Sequence, residues 1–372
     1  MLGESADSSA RKRARAKMKD VADAAGVSIG TVDRVLNRRG RVSDETVSRV
    51  EAVARDLKFA PNRTASSLSR ARTHVFVAVL PTPEQDGGYW NLIVQGMERA
   101  IEELDYVEVE FLFYDRFDPA SFERLATGLS HQKPDGVILA PSIEAPARRL
   151  VEQVDPRMVV LIDGDLPDSG VLTTISQDSI ESGLLAGKLL DLLCPEGRRL
   201  LSVTVGVDDH HLQLRRKGFE RYFAAIADAG RSPRSARPLE HLVIADSRDW
   251  VRLDTWFAVQ GESGHAGAGA GRNSAIEGVF VTNAAAHEVV ARLPAALLPR
   301  IVGYDLIPEN ARALQEGKID FIINQQPENQ GYQALLAIHR ARVLGEPVAD
   351  VIRMPIDIVM RENLDFHPLS TG

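Results

Sequence analysis

Hydrophobic and polar positions alternate along the chain in two different ways. Between residues 18 and 57, short apolar groups recur at helical spacing, which predicts three short helices. From residue 73 onward, continuous apolar runs of strand length alternate with amphipathic helical segments. This second pattern is typical of parallel sheets that are covered by helices on both faces.

Capping residues set the boundaries of the three N-terminal helices. The first is predicted from Lys19 to Ala25, because Gly26 can cap its carboxyl end. Serine is a favoured residue at helix starts, so the second helix is predicted from Ser28 to about Asn37 and the third from Ser43. Pro61 ends this unit. The unit as a whole is therefore predicted to span residues 18–61.

The later part of the chain predicts an α/β body. Strands are predicted at 75–80, 107–113, 136–140, 159–162, 200–205, 278–281 and 300–302. Helices are predicted between them at 89–104, 121–132, 179–193 and 214–229. A segment of about 290 residues is large for one sheet, so two doubly wound lobes are predicted. The segment 261–271 is rich in glycine and alanine and is predicted to be a surface loop.

Composition narrows the class of protein. The chain has 372 residues, of which 44% are hydrophobic and 26% charged, as in ordinary globular proteins. It has no apolar run of the length that a membrane helix needs and no apolar signal core at its start. The single cysteine, Cys194, cannot form an internal disulfide. These features predict a cytoplasmic protein without membrane contact.

Charge is distributed unevenly between the two parts. Residues 1–72 contain 16 Lys and Arg against 9 Asp and Glu, whereas the remaining residues contain 28 against 43. A basic head on an acidic body favours contact with a polyanion through the head alone. Residues 1–17 are predicted to be a disordered basic arm. On charge alone, a solvated basic tail remains the alternative.

The head contains the spacing of a helix-turn-helix. Ala22, Gly26 and Val32 stand where the helices cross, where the chain turns and where the second helix is anchored. In this motif the second helix lies in the major groove, where Arg34 can donate two hydrogen bonds to a guanine. The Ser28 and Thr31 hydroxyls can bond phosphates. A general three-helix interaction module is the alternative.

Two stretches, MKDVADAAGVSIGTVDRVLN and RVSDETVSRVEAVARDLKFAPN, resemble the head of the LacI family of transcriptional regulators. The resemblance continues, more loosely, to about residue 364. It implies that Ile29, Gly30 and Arg34 read bases. The family usually has serine at the position of Asp33, whose carboxylate would repel phosphates, accept from cytosine or pair with Arg34. The whole implied DNA-binding set is Ser28, Ile29, Gly30, Thr31, Asp33, Arg34, Asn37, Asn62, Ala65 and Leu68.

Residues 62–72 contain a stretch, NRTASSLS, that resembles the hinge helix of this family. The resemblance implies that Leu68 enters the minor groove as a wedge and that Ala65 lets two hinge helices approach each other. So short and serine-rich a segment is not helical by itself. An ordinary interdomain linker is the alternative.

The body, residues 73–366, resembles the type I periplasmic sugar-binding fold that the family uses as its effector domain. The resemblance implies a first lobe of residues 73–175 and 327–348 and a second lobe of residues 177–325 and 350–364. Three crossings between the lobes are expected near Ser176, near Gln326 and Pro327, and at 347–351.

Polar side chains follow five of the strands, where open α/β sheets bind ligands. They are Asp163, Arg215, Asn283, Asp305 and Gln325. Carboxylates accept hydrogen bonds from hydroxyls, so the set suits a sugar or polyol, although each residue singly also suits a helix cap or turn. All five align with sugar-contacting positions of ribose-type binding proteins. Tyr89 and Trp90 match the aromatic pair that stacks on the sugar, with rim packing as the alternative.

Two departures from the family pattern affect the same site. Gly87 stands at the family's usual asparagine, and Gly164 at its usual arginine. The loss of both side chains is expected to widen the site or shift its preference.

Other chemistry finds little support in the sequence. The run from Asp208 to His211 suggests a metal, but adjacent residues of one loop rarely give tetrahedral geometry. The chain has no phosphate-loop lysine motif and no nucleophile elbow. We therefore expect no metal, no catalytic residues, no enzyme activity and no cofactor beyond a small-molecule effector.

Together, these features predict a repressor of a carbohydrate catabolic operon that a sugar or polyol releases from a palindromic operator. One head reads only half of such an operator, so a homodimer, or a tetramer of paired dimers, is expected. A corepressor-type regulator that binds DNA only with its ligand, such as a purine, is the alternative. A solute-binding protein is a weaker one.

Overall fold

The computed structural model describes residues 18–36, 42–57, 72–129, 133–228, 237–245, 250–263, 276–295 and 297–367. The chain divides into two compact units between Ala71 and Arg72. Several predictions lie outside the described residues: the arm at 1–17, nearly all of the hinge at 62–72, most of the loop at 261–271, and the single positions Asn37, Asn62, Ala65 and Leu68.

The first unit contains the three predicted helices. They are α1 (Met18–Ala25), α2 (Ile29–Leu36) and α3 (Asp44–Asp56). Gly26 follows α1 with a φ of 65°, the left-handed conformation that ends helices. The Ser28 Oγ accepts from the Thr31 amide at 3.2 Å, and the Ser43 Oγ accepts from the Thr46 amide at 3.4 Å. Local capping thus explains both helix starts.

A small apolar core joins the three helices of the head. Its buried members are Val21, Ala22, Ala25, Val32, Val35, Val50 and Ala54. Leu57 lies just beyond the end of α3 and is not part of this core, since its side chain is 39% exposed.

The body contains two six-stranded sheets, as predicted. Their strands are β1 (His74–Pro81), β2 (Val107–Tyr114), β3 (Gly136–Leu139), β4 (Val159–Ile162), β5 (Thr173–Ser176), β6 (Arg199–Val205), β7 (Leu239–Ile244), β8 (Ile276–Val281), β9 (Arg300–Tyr304), β10 (Phe321–Asn324), β11 (Val351–Arg353) and β12 (Asp357–Val359). The first sheet has the order β11-β5-β4-β3-β1-β2 and the second β12-β10-β9-β8-β6-β7. Neighbouring strands are parallel except for β10 and β12.

Helices separate these strands along the chain. They are α4 (Gln85–Glu103), α5 (Pro119–Leu129), α6 (Glu144–Gln153), α7 (Ser179–Leu193), α8 (His210–Asp228), α9 (Val251–Ser263), α10 (Ala286–Ala291), α11 (Pro308–Gln315) and α12 (Pro327–His339). The turn after α12 is a π-helix (Arg340–Leu344). Within the described ranges, no helix has the length and apolar character that crossing a bilayer requires.

The sequence pattern missed some of these boundaries. Helix α8 begins four residues before its predicted start, because the Asp209 carboxylate accepts from the Leu212 amide at 3.2 Å and caps it. Strands β5, β7, β11 and β12 were not predicted. Strand β5 is mostly polar, Glu240 and His241 interrupt the apolar residues of β7, and β11 and β12 have only three residues each. Such strands carry too little apolar signal to be found alone.

The third crossing between the lobes lies later than predicted. Strand β11 pairs with β5 in the first sheet, with Val351 opposite Thr174, whereas β12 pairs with β10 in the second. The crossing therefore falls between Arg353 and Asp357 rather than at 347–351, and residues 351–353 belong to the first lobe. The backbone pairing that extends the first sheet decides this boundary.

Helices α7 and α8 cross at two glycines. A Cβ on Gly183 would lie 1.9 Å from the carbonyl oxygen of Arg215, and one on Gly218 would lie 2.1 Å from that of Ile180. The two helices therefore approach until backbone meets backbone. This contact sets the position of α8 and of Arg215 near its start.

We expect Gly183→Ala to destabilise the body by about 2–3 kcal/mol, because the added methyl group must separate two packed helices. Gly128→Ala on α5 is the matched control, since its Cβ would meet nothing within 4 Å. Removing a glycine from a helix at such a site stabilises by about 0.5–1 kcal/mol. Denaturant unfolding of both variants checks this. Equal stabilities would contradict the close approach.

Candidate binding pocket

One pocket between the two lobes brings together all seven side chains that the sequence predicted for the body. They are Tyr89, Trp90, Asp163, Arg215, Asn283, Asp305 and Gln325. The carboxyl ends of the parallel strands meet there, which is why residues so far apart in sequence converge. The pocket is narrow, with an empty volume of about 270 Å³.

A chain of hydrogen bonds fixes the polar groups of the second lobe. Two guanidinium nitrogens of Arg215 donate at 2.8 Å, one to the carbonyl oxygen of Thr282 and one to the Gln325 Oε1. The Gln325 Nε2 in turn donates to the Asp305 Oδ2 at 3.2 Å. Arg215 also lies 4.1 Å from the centre of the Tyr304 ring. These side chains are therefore held in place before any ligand binds.

Two buried acceptors that line the pocket have no hydrogen-bond partner among the described residues. They are the Asp305 Oδ1 and the Asn283 Oδ1. The amide nitrogen of Asn283 is occupied, since it donates to the carbonyl oxygen of Val205 at 2.7 Å. Buried polar atoms are normally paired, so both acceptors suit a ligand that donates hydrogen bonds.

Burial strongly affects the ionisation of Asp305. Desolvation raises its pKa to about 7, while Arg215 opposes the shift and Asp163 adds to it. The backbone at Asp305 has a φ of 64°, a left-handed conformation that few side chains adopt. Backbone strain and desolvation thus both destabilise the fold at this carboxylate, which the surrounding contacts nevertheless keep at the end of β9.

The first lobe supplies the aromatic pair and a second carboxylate. The Tyr89 hydroxyl donates to the Asp163 Oδ1 at 2.6 Å, and the Trp90 Nε1 donates to the Asp86 Oδ2 at 2.7 Å. The two rings meet edge to face, with their centroids 5.1 Å apart. Both side chains are almost fully buried in the core of the first lobe. The two side chains therefore line the pocket and also pack within the first lobe.

Four charged side chains that the sequence analysis did not assign to this pocket stand beside these residues. Arg116 forms an ion pair with Asp86 in its own lobe and lies 3.7 Å from the Asp209 Oδ2 of the second lobe. The His211 Nδ1 lies 2.7 Å from the Asp209 Oδ1, and its Nε2 lies 3.7 Å from the Asp163 Oδ2. Charged contacts therefore cross between the lobes at the pocket.

The ionisation of this group is set by its neighbours. Burial by itself would raise the pKa of Asp209, but His211 and Arg116 hold it below its ordinary value. Burial would lower the pKa of His211, but Asp209 and Asp163 raise it. Charged forms of both side chains are thus favoured together.

A signal for part of this group was present in the sequence. Arg116 follows β2 by two residues, so the rule that found the other strand-end residues also applies to it. Asp209 and His211 lie in the run that we considered as a metal site. In the structure the run divides, since Asp208 pairs with Arg216 at 3.3 Å while His211 lines the pocket and Asp209 contacts His211 and Arg116.

The two glycine departures do not widen the pocket. A Cβ on Gly87 would lie 2.4 Å from the Ile307 Cδ1, and the φ of Gly87 is 66°. A Cβ on Gly164 would lie 3.4 Å from the His211 Nδ1. Ile307 fills the space at Gly87, and His211 already lies at contact distance from Gly164, so neither loss widens the pocket. A shift in ligand preference stays a prediction.

In the head, Arg34 lies exposed on α2. The Ser28 and Thr31 hydroxyls are 2.9 Å apart at the start of the same helix. Ile29, Gly30 and Asp33 are also on α2. The side chains of Ile29 and Asp33 are outside the described part of the structure. The DNA-contacting roles of these residues stay predictions.

Two protein-family models match the chain. Residues 77–346 match the model described as periplasmic binding protein domain. Residues 17–62 match the model described as bacterial regulatory proteins, lacI family. The boundary between the two compact units falls in the short segment that separates the two matches.

Similar proteins include two repressors. The sucrose operon repressor of Lactococcus lactis subsp. lactis is 32% identical over 206 residues, which cover 55% of this chain and 61% of that protein. The ribose operon repressor of Escherichia coli (strain K12) is 32% identical over 216 residues, covering 58% of this chain and 62% of that protein. The chain thus spans about three fifths of the length of each relative.

Solved structures share the fold of the body. GanP, a glucose-galactose binding protein from Geobacillus stearothermophilus, has a TM-score of 0.63 at 24% identity, over 79% of this chain and 99% of that chain. An ABC transporter solute binding protein from Agrobacterium vitis, bound with alpha-D-tagatopyranose, has a TM-score of 0.61 at 18% identity, over 78% and 96%. At these identities the likeness concerns the fold alone.

We expect Asp305→Asn to stabilise the protein more at pH 8 than at pH 4. With its pKa raised to about 7, folded Asp305 keeps a proton that the unfolded chain releases near pH 4, so its cost to stability grows as the pH rises between these values. This pKa shift corresponds to a loss of stability of about 2–4 kcal/mol at high pH. The asparagine amide has no proton to lose, so the variant avoids this loss.

Denaturant unfolding of both proteins at pH 4 and pH 8 measures this difference. Asp254→Asn, at an exposed ion pair with Arg292, is the control substitution of the same chemistry. The same pH dependence in both variants would argue against a raised pKa at Asp305.

Proposed function

We infer that this chain, which belongs to the LacI family of bacterial regulatory proteins and has a periplasmic binding protein domain as its body, represses transcription by binding an operator sequence. The observation that carries this inference is the combination of a helix-turn-helix with a two-lobed ligand pocket in one chain. Such a chain can detect a small molecule and alter DNA binding without another protein.

A sugar or polyol is the proposed effector, and no other cofactor is needed. The Asp305 Oδ1 and Asn283 Oδ1 are free to accept from ligand hydroxyls, and carboxylates accept two such bonds well. The names of the similar proteins, repressors of sucrose and ribose operons, support a carbohydrate catabolic operon as the target. A flat purine, the ligand of the corepressor alternative, fits a carboxylate-rich pocket less well.

Ligand binding is proposed to act through closure of the lobes. Asp163 and Tyr89 come from the first lobe, and Arg215 and Asp305 come from the second, so a bound ligand would join the two. If the closed and open forms of the body bind DNA with different affinities, the ligand changes the affinity for the operator by the same factor as the operator changes the affinity for the ligand. Such a coupling is typically about 1–3 kcal/mol. Leu68 of the proposed hinge would enter the minor groove at the centre of a palindrome that is bound by a dimer.

Other functions are less well supported. A solute-binding protein has no use for a DNA-binding head, and the family model that matches the head describes regulatory proteins. A regulator acts where the DNA is, so we place the protein in the cytoplasm.

Base reading by α2 is tested with Arg34→Ala. We expect it to lower affinity for a palindrome from the protein's own promoter region at least about fivefold, because a bidentate contact to guanine contributes about 1–3 kcal/mol. Arg55→Ala is the matched control, since Arg55 is equally basic and exposed but lies in the last turn of α3. Fluorescence anisotropy with palindromic and scrambled duplexes measures both. Equal losses on both duplexes would argue against base reading by Arg34.

The sense of regulation is tested on the complex of full-length protein with its operator. Addition of the matching sugar is expected to release the DNA, and Asp305→Ala is expected to abolish that release while leaving DNA binding intact. The panel contains pentoses, hexoses, polyols and purines. Tighter DNA binding with a purine would establish the corepressor alternative, and no response to any sugar or polyol would contradict the proposed effector class.

A further inference from the structure

A second cavity adjoins the pocket and is much larger. It opens to solvent, and its empty volume with that open space included is about 1250 Å³, against about 270 Å³ for the pocket. Its walls come from the loop between β4 and β5, the first crossing between the lobes, the start of α8 and strand β11. None of the functions described above uses this space.

The two cavities meet at Asp163 and His211, which line both of them. The Asp163 Oδ2 and the His211 Nε2 are 3.7 Å apart. Next to this pair, Gly164 has no side chain to add to the wall, and a Cβ there would already touch His211. The boundary between the cavities is therefore one pair of side chains thick.

The second cavity contains a polar group that is ready for a ligand. The Gln177 side chain is 4% exposed and lines the cavity. Its Nε2 donates to the carbonyl oxygens of Asn324 and Pro355, at 3.2 and 2.9 Å. Its Oε1 has no partner among the described residues, so it can accept from a ligand hydroxyl.

Charge and surface determine which ligands suit the second cavity. Besides Asp163 it contains four carboxylates, on Asp165, Asp168, Asp178 and Asp350, against the cations Arg157, Arg353 and His211. Arg353 is already paired with Asp178. This surplus of negative charge disfavours phosphates and sugar acids. Leu166, Pro167, Val171 and Val351 provide apolar walls for the C–H faces of a sugar ring.

We propose that the pocket and the second cavity together bind a neutral saccharide of at least two units, with one unit in each and the linkage passing Asp163 and His211. This inference rests on the proposed function, because it takes the pocket to be the sugar site. It adds the size of the effector and the absence of charge on it.

The test is calorimetric titration of the full-length protein with defined sugars. Neutral disaccharides (sucrose, maltose, cellobiose, lactose, melibiose and trehalose) are compared with glucose, galactose, fructose and glucose 6-phosphate. At least one disaccharide is expected to bind ten times or more tightly than any monosaccharide. The phosphorylated sugar is expected to bind at least tenfold more weakly than glucose.

A variant that fills only the second cavity sharpens the test. Val351 is 49% exposed on β11 and lines the cavity but not the pocket. Val351→Trp is expected to remove the advantage of the disaccharide and to leave the affinity for its monosaccharide unchanged. Leu298→Trp, at a 91% exposed position that lines neither cavity, is the matched control and is expected to change neither affinity.

The possible outcomes separate this inference from the proposed function. If a monosaccharide binds as tightly as every disaccharide, or Val351→Trp spares disaccharide binding, the second cavity is not a subsite and the sugar pocket stands. If glucose 6-phosphate binds more tightly than all neutral sugars, the neutral ligand class is wrong. If no sugar binds, the proposed effector class fails, and this inference fails with it.

Discussion

The buried charge of Arg215 is the constraint around which the second lobe is built. A guanidinium group that is only 1% exposed must be compensated, and Thr282, Gln325 and the ring of Tyr304 surround it. The close crossing of α7 and α8 places this arginine, because Gly183 leaves no space between the helix backbones. Fold stability and the chemistry of the pocket therefore depend on the same contact.

The burial of Asp305 destabilises the fold and leaves a carboxylate available to a ligand. Its carboxylate is buried near Arg215, yet desolvation still raises its pKa to about 7, so it is poorly solvated without a ligand. Proteins tolerate such strained, under-satisfied groups mainly where they bind or react. A ligand that donates hydrogen bonds would supply what the lobe lacks, which links affinity directly to the burial of this residue.

Contacts between charged side chains join the two lobes of the body at the pocket. Arg116 of the first lobe approaches Asp209 of the second, and His211 of the second approaches Asp163 of the first. These contacts depend on how closely the lobes approach. The proposed ligand, which bridges the lobes, would act on the same distance and would so link binding to lobe position through a few buried charges.

The sequence by itself determined the elements and much of the site. Caps such as Ser43 and apolar runs such as residues 159–162 act locally, and the strand-end rule located pocket residues such as Asp163 and Asp305. Tertiary structure alone decided the third crossing, the contacts of His211 and the filling of the space at Gly87 by Ile307. Each of these depends on segments that are distant in the chain and meet only in the folded body. Local patterns describe what a segment can form, whereas packing between segments decides which of its side chains meet.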